Sequence, residues 1–249
     1  MTSTAAIASA RPASTATYDR RFYSGIAILM ALTVFIGFGP TFYLRSYFGA
    51  PVSVTGMVTL TRLTLAHGLL FSMWVLLFVA QTTLIASRNV AMHRRLGFAG
   101  VALAVVMIGV GLSTAIAAAA RGSKLPGLDP PTSLVVPVFD ILLFTGFVTA
   151  AVLRRREKDA HKRLMLLAYA AIFPAAVGRL PGVAAMGPAG VFGLAFLPPV
   201  FGAIYDRWSR GRVSPIYWWG LAALFLSIPV RLAVASTGPW HAFAEWATR

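Results

Sequence analysis

From Phe22 onward the chain alternates between long apolar runs and short breaks rich in Arg, Pro and Gly. Each run is close to the roughly 20 residues that carry a helix across a hydrocarbon core. Seven runs are predicted as helical spans, at 22–44, 64–86, 97–120, 133–153, 163–180, 188–205 and 216–235. The fold class is therefore all-α, a polytopic membrane helical bundle of about seven transmembrane helices over residues 22–235. Residues 1–21 begin with a small, polar stretch that has no apolar core of the kind a signal peptide needs, and they read as a disordered cytoplasmic tail. Residues 236–249 read as an external C-terminal tail. The fifth and sixth runs contain Pro174 and Pro198-Pro199. Each proline removes a backbone donor, so both helices are expected to bend.

Composition strengthens this picture. The chain is 58% hydrophobic and 12% charged, whereas a soluble domain carries about 25% charged residues. A net charge of +15 would suggest nucleic acid in a soluble protein. Here the bases sit in short loops, where they set topology and meet anionic lipid, so the expected partner is the bilayer and not nucleic acid. Fifteen of the 22 Lys and Arg fall on the side of the N-terminal tail and seven on the other, which places the N-terminus inside and the C-terminus outside. That orientation excludes microbial rhodopsins and G-protein-coupled receptors. Retinal is excluded again because Lys124, Lys158 and Lys162 all lie in loops. With no cysteine, thiolate and iron–sulfur chemistry are excluded as well.

The remaining chemistry lies in polar residues within the spans. In "TRLTLAHGLLFSMWVLLFVAQTTLIA", His67, Trp74 and Gln81 recur at intervals of seven residues and form a slanted stripe on one helical face. The stripe is expected to face the bundle interior, as interhelical hydrogen-bonding groups or as part of a site. His67 lies about 7.5 Å inside Arg62 at 1.5 Å rise per residue. Asp140, Arg179 and Arg231 come from three other helices to a similar depth in the outer half, and Ser227 shares Arg231's face. An arginine near a helix end can snorkel to the interface, but a carboxylate on a short stem cannot, so Asp140 must be neutral or paired. Its available partners are His67 and the two arginines. Two readings follow: a structural salt bridge, or a small hydrated pocket with an Asp–His pair that exchanges a proton. Gln81 is expected to bond a neighbouring helix nearer the cytoplasm.

On the cytoplasmic side, "HRRL" at His93 and "HKRL" at His161 open the third and fifth runs. Such basic starts serve as membrane anchors. The sharper alternative is that His93 and His161 face one another and bind a metal or a b-type haem, whose propionates the adjacent arginines would meet. His241, beside Trp240, reads as an interfacial anchor. No phosphate loop, HExxH or GxSxG is present, and the soluble segments are too short for a catalytic domain. Any chemistry must therefore take place inside the bundle, and whether the chain is an enzyme stays open, with the reading leaning to no.

The segments "GPTFYLRSYFG", "HGLLFSMWVLLFVAQTTLIASRNVAMHRRLG", "FDILLF", "HKRLMLLA", "GRLPG" and "YDRWSRGRVSP" together resemble a family of uncharacterised bacterial seven-helix membrane proteins. The resemblance covers nearly the whole chain from Tyr23. It implies the bacterial inner membrane and the motif residues Arg45, His67, Gln81, His93, Asp140, His161, Arg179, Asp206 and Arg231, without implying an activity. Ser214-Pro215 stands where the family pattern has His-Pro. A looser similarity is to di-haem b-type membrane cytochromes, which need two histidines on each side. Only His67 lies within a span on the outer side, so two haems are excluded and one, at His93 and His161, stays open. Three functional classes follow: a protein binding a small ligand or exchanging a proton at the outer polar site, a single-haem or quinone-linked redox protein, and a non-catalytic scaffold or assembly factor.

Overall fold

The computed structural model describes residues 13–49, 51–52, 56 and 60–249 of the chain. Residues 1–12 of the expected tail lie outside the described residues. The first helix, α1 (Ala13–Phe38), already begins within that tail and runs on through a π-helical turn at Gly39–Tyr43. Its early start has a physical anchor. Asp19 pairs with Lys162 and Arg210, both at 2.6 Å, and Phe22 stacks on Tyr205 with centroids 4.2 Å apart.

The other helices are α2 (Arg62–Ala86), α3 (Val90–Ala120), α4 (Pro130–Leu153), α5 (Lys158–Ile172), α6 (Pro174–Val177), α7 (Gly187–Ala195), α8 (Leu197–Arg210), α9 (Pro215–Ala235) and α10 (Gly238–Thr248). Side-chain caps mark five of the starts: Thr61 accepts from the Thr64 amide, Asn89 from Met92, Asp129 from Thr132, Ser214 from Ile216 and Thr237 from Trp240. Both expected bends are present. The fifth run breaks at Phe173-Pro174 into α5 and α6, and the sixth breaks at Phe196, next to the proline pair, into α7 and α8. The segment read as an external tail forms α10, which packs on α3 and α4, and Trp240 Nε1 donates to the Pro131 carbonyl at 2.9 Å.

The protein is a polytopic helical bundle. Among the described residues six segments are long and apolar enough to cross a membrane: Thr17–Tyr43, Arg62–Ala86, Val90–Ala120, Pro130–Leu153, Ala184–Arg210 and Pro215–Ala235. The expected fifth run is not among them, because α5 opens on Lys158, Asp159, Lys162 and Arg163 and stops at the proline. Its environment explains that composition. Leu166, Leu167, Ala168, Tyr169, Ala170 and Ala171 are all buried, and α4, α8 and α9 pack around the helix. Helix α5 is the inner element, and its alanines let neighbouring backbones come close. A similar close approach joins α1 to α6, where a Cβ on Gly37 would collide with the Ala176 carbonyl.

Apolar side chains face outward around the rim, among them Leu29, Phe35, Leu76, Phe98, Trp219 and Leu226, each exposed. An apolar exterior with polar groups inside suits lipid as the surrounding solvent. Asp19, at the start of α1, sits at the same end as Arg210, while α10 lies at the opposite end beside Pro131. The end holding Arg62, Asp129 and α10 is termed the first end, and the end holding Asp19 and Arg210 the second.

Candidate functional site

At the first end the helices leave a cavity of about 700 Å³, within the 300–1,000 Å³ usual for small-molecule sites. His67 from α2, Asp140 from α4, Arg231 from α9 and Arg179 from the turn after α6 all line it. Four of the six residues proposed for the outer polar site therefore share one cavity. Its walls are otherwise mainly aromatic and aliphatic, with Phe38, Phe42, Phe71, Phe173 and Phe192 among them.

Within the cavity wall Asp140 and Arg231 form a closed unit. Arg231 Nη1 donates to Asp140 Oδ1 at 2.9 Å, Nη2 to Ser227 Oγ at 2.9 Å and Nε to the Ser227 carbonyl at 3.2 Å. Ser227 lies one turn before Arg231, so α9 presents the guanidinium already oriented. The guanidinium also lies 4.6 Å from the Phe192 ring centroid. At 1% exposure Arg231 does not snorkel to an interface. Asp140 takes this arginine as its ion-pair partner, and the Asp–His pair considered from sequence does not form as a hydrogen bond. A buried carboxylate is tolerated when a guanidinium and further hydrogen bonds satisfy it, and Arg231 meets that requirement.

His67, Arg179 and Tyr169 each keep one buried polar atom without a partner. His67 stacks on Phe71, with centroids 4.0 Å apart, and its Nδ1 is buried and unpaired. Arg179 lies over Phe38 at 4.4 Å, its Nη1 donates to the Ala175 carbonyl, and its Nε is buried and unpaired. Tyr169, 1% exposed on α5, carries a buried hydroxyl with no partner. All three line the same cavity. Nearby, the Tyr43 and Ser72 hydroxyls bond each other at 2.7 Å, and Ser72 Oγ donates to the Gly68 carbonyl at 2.6 Å. Buried polar groups are nearly always hydrogen-bonded; three of the seven unpaired buried atoms among the described residues belong to residues that line this cavity, the others to Trp74, Gln81, His93 and Arg210.

Trp74 and Gln81, proposed as part of the same polar site, do not line this cavity. Trp74 is 3% exposed and packs edge-on to Phe144, with its Nε1 unpaired. Gln81 lies toward the second end, near Gly97 of α3, and its Oε1 has no partner. The stripe is real as a helical face, but about four helical turns separate Gln81 from the depth of His67.

At the second end His93 and His161 do face one another, with ring centroids 6.4 Å apart and planes at 83°. His161 Nδ1 lies 2.9 Å from the Ala151 carbonyl, which favours the tautomer with a free Nε2. His93 Nδ1 is buried and unpaired. Among the described residues no group of three or more His, Asp or Glu is arranged to hold a metal ion.

Sequence reasoning missed the ion-pair network of this end. Asp206 is fully buried and receives Arg163 Nε at 2.7 Å, Arg163 Nη2 at 2.6 Å and Arg210 Nη1 at 2.8 Å. Arg210 also donates to both oxygens of Asp19, and Tyr205 donates to Asp19 Oδ1 at 2.8 Å. The network ties α1, α5 and α8 together. Its only local signal was the Asp206–Arg210 spacing of one helical turn. Comparison with protein-family models, curated proteins and solved structures finds no match to this chain.

Proposed function

We propose that this protein is a non-enzymatic bacterial inner-membrane protein that binds a small ligand in the cavity at its first end. One observation supports this above the others. The Asp140–Arg231 pair is satisfied within the protein, while His67, Arg179 and Tyr169 keep unpaired polar atoms around a single cavity of about 700 Å³. A scaffold would be expected to pair its buried charges, as the Asp19 and Asp206 network does. A proton-exchanging Asp–His pair would need the two side chains joined, and Asp140 is committed to Arg231. In this reading α5–α6 makes a seventh crossing, the N-terminus is cytoplasmic and the cavity faces the outside. The orphaned groups belong to the site and not to the fold. His67→Ala and Arg179→Gln are therefore expected to keep the unfolding temperature of the detergent-purified protein and to lose the shift produced by a bound ligand in a thermal screen. Loss of folding in both variants would support the scaffold reading instead.

The facing histidines favour a second reading at the other end. His93 and His161 would be the residues to hold a metal ion or a b-type haem iron, which would supply one-electron redox chemistry there. Their ring centroids lie 6.4 Å apart, which brings both imidazoles to one place. A carbonyl bonded to the remote nitrogen, as Ala151 is to His161, is the usual support for an imidazole ligand. A single b-type haem there would make the protein a redox carrier, with quinone as a candidate partner. A reduced-minus-oxidised spectrum of protein expressed with haem present tests it: a b-type band lost in His161→Ala supports the reading, and a colourless protein removes it.

A further inference from the structure

We infer that the ligand of the first-end cavity is an amphipathic anion, a carboxylate or phosphate head on an apolar tail, with the head held by Arg179, His67 and Tyr169. This rests on the reading of that cavity as a ligand site. The charge balance of the lining carries the inference. Arg45, Arg121, Lys124, Arg179 and Arg231 line the cavity, and the sole carboxylate among the lining residues is Asp140. Asp140 is already held by Arg231, so Arg179 has no carboxylate among the described lining residues to balance it. In a low-dielectric site such an excess raises the local concentration of anions and disfavours cations.

The geometry localises the head. Arg179 has no carboxylate partner among the described residues; its guanidinium is held only by the Phe38 ring and the Ala175 carbonyl, and Nε is left over. Close to membrane depth an unneutralised guanidinium is costly, and an anion relieves that cost by the charge-assisted hydrogen bonds that arginine makes best. His67 Nδ1 and the Tyr169 hydroxyl can each supply one more hydrogen bond. Arg121 and Lys124, exposed in the turn between α3 and α4, add positive charge at the first end, where an anion would arrive. The rest of the wall is suited to a tail. Phe42, Phe71, Val75, Ile141, Phe173 and Phe192 offer apolar contact and no polar group. A small inorganic anion would leave this surface empty, and a neutral hydrocarbon would leave Arg179 unpaired.

The test is thermal unfolding of the purified full chain in maltoside detergent with decanoate, decyl phosphate or decanol added. Ligands that bind only the folded state raise the unfolding temperature with concentration. Decanoate or decyl phosphate is expected to stabilise the wild type and decanol not. Arg179→Gln should weaken the anion's apparent affinity at least tenfold, while Arg179→Lys, which keeps the charge, should recover part of it. Thr114→Trp, which fills the cavity from α3, should abolish the effect; Thr114 bonds only the Val110 carbonyl of its own helix. Added phosphatidylglycerol that displaces decanoate would assign the head to a lipid, and indifference to it would assign a free amphiphile. Equal stabilisation by decanol and decanoate, both lost in Thr114→Trp, would overturn the anion and leave the cavity as a ligand site. Binding unchanged in Thr114→Trp would overturn both.

Discussion

At the scale of single residues, the Asp140–Arg231 pair and the His67–Arg179–Tyr169 group have opposite energetics. Removing one partner of a buried ion pair strands the other charge and costs about 3–5 kcal/mol. Arg231→Met or Asp140→Leu alone is expected to destabilise by that amount in denaturant unfolding of the detergent-solubilised protein. The double variant should recover most of the loss, because an apolar pair of similar volume replaces a buried ion pair at little cost. Additive losses would mean that the two residues do not act as a pair. His67 shows the contrary case. Its Nδ1 bonds nothing, so removing the ring forfeits only its stacking on Phe71.

At the scale of elements, helix starts and breaks follow local chemistry. Asp129 caps α4 by accepting from the Thr132 amide at 2.7 Å, and that bond, followed by one from the Thr132 hydroxyl, holds its carboxyl below the usual carboxylate range. A depressed pKa means that the cap's contribution is present above the ordinary carboxylate range and lost as pH falls through the folded-state value. Asp129→Ala should cost about 1 kcal/mol at neutral pH, with the difference from wild type shrinking on acidification. A penalty constant with pH would show that the carboxylate is not the cap. Much at this scale was legible in the sequence. The apolar runs gave α1 to α4 and α9 to within a few residues, except for the early starts of α1 and α3, and Pro174 and Pro198-Pro199 marked both bends. Asp140 stood out because a short carboxylate in an apolar run must be matched. What could not be read was which helix lies inside: α5 looks the least membrane-like by charge because its neighbours, and not lipid, surround it. Tyr169 was missed for the same reason, since nothing local distinguishes a tyrosine facing a cavity from one packed in a core.

At the scale of the whole molecule, the two ends are built differently. The second end closes its charges on one another through Asp19 and Asp206, whereas the first end leaves cations around a cavity. Lys162, Arg163 and Arg210, which counted toward topology, also hold α1, α5 and α8 together, and chain separation hid this, since Arg210 meets Asp19 across 191 residues. Asp206→Asn should therefore lower stability by several kcal/mol while leaving binding at the first end unchanged in the fraction that folds. The absence of cysteine makes the orientation testable with single introduced thiols. Ser236→Cys, exposed at the first end, should react with an impermeant maleimide on intact cells, and Arg155→Cys, exposed at the second, only after permeabilisation. The reverse pattern would invert the topology and turn the cavity toward the cytoplasm. The central claim is that the first-end cavity holds a ligand, and native mass spectrometry of the gently solubilised wild type beside Thr114→Trp tests it most directly. The account predicts a retained small-molecule adduct on the wild type that is absent from an equally stable Thr114→Trp. A bare wild-type mass after incubation with membrane extract, or an adduct that Thr114→Trp keeps, would contradict it.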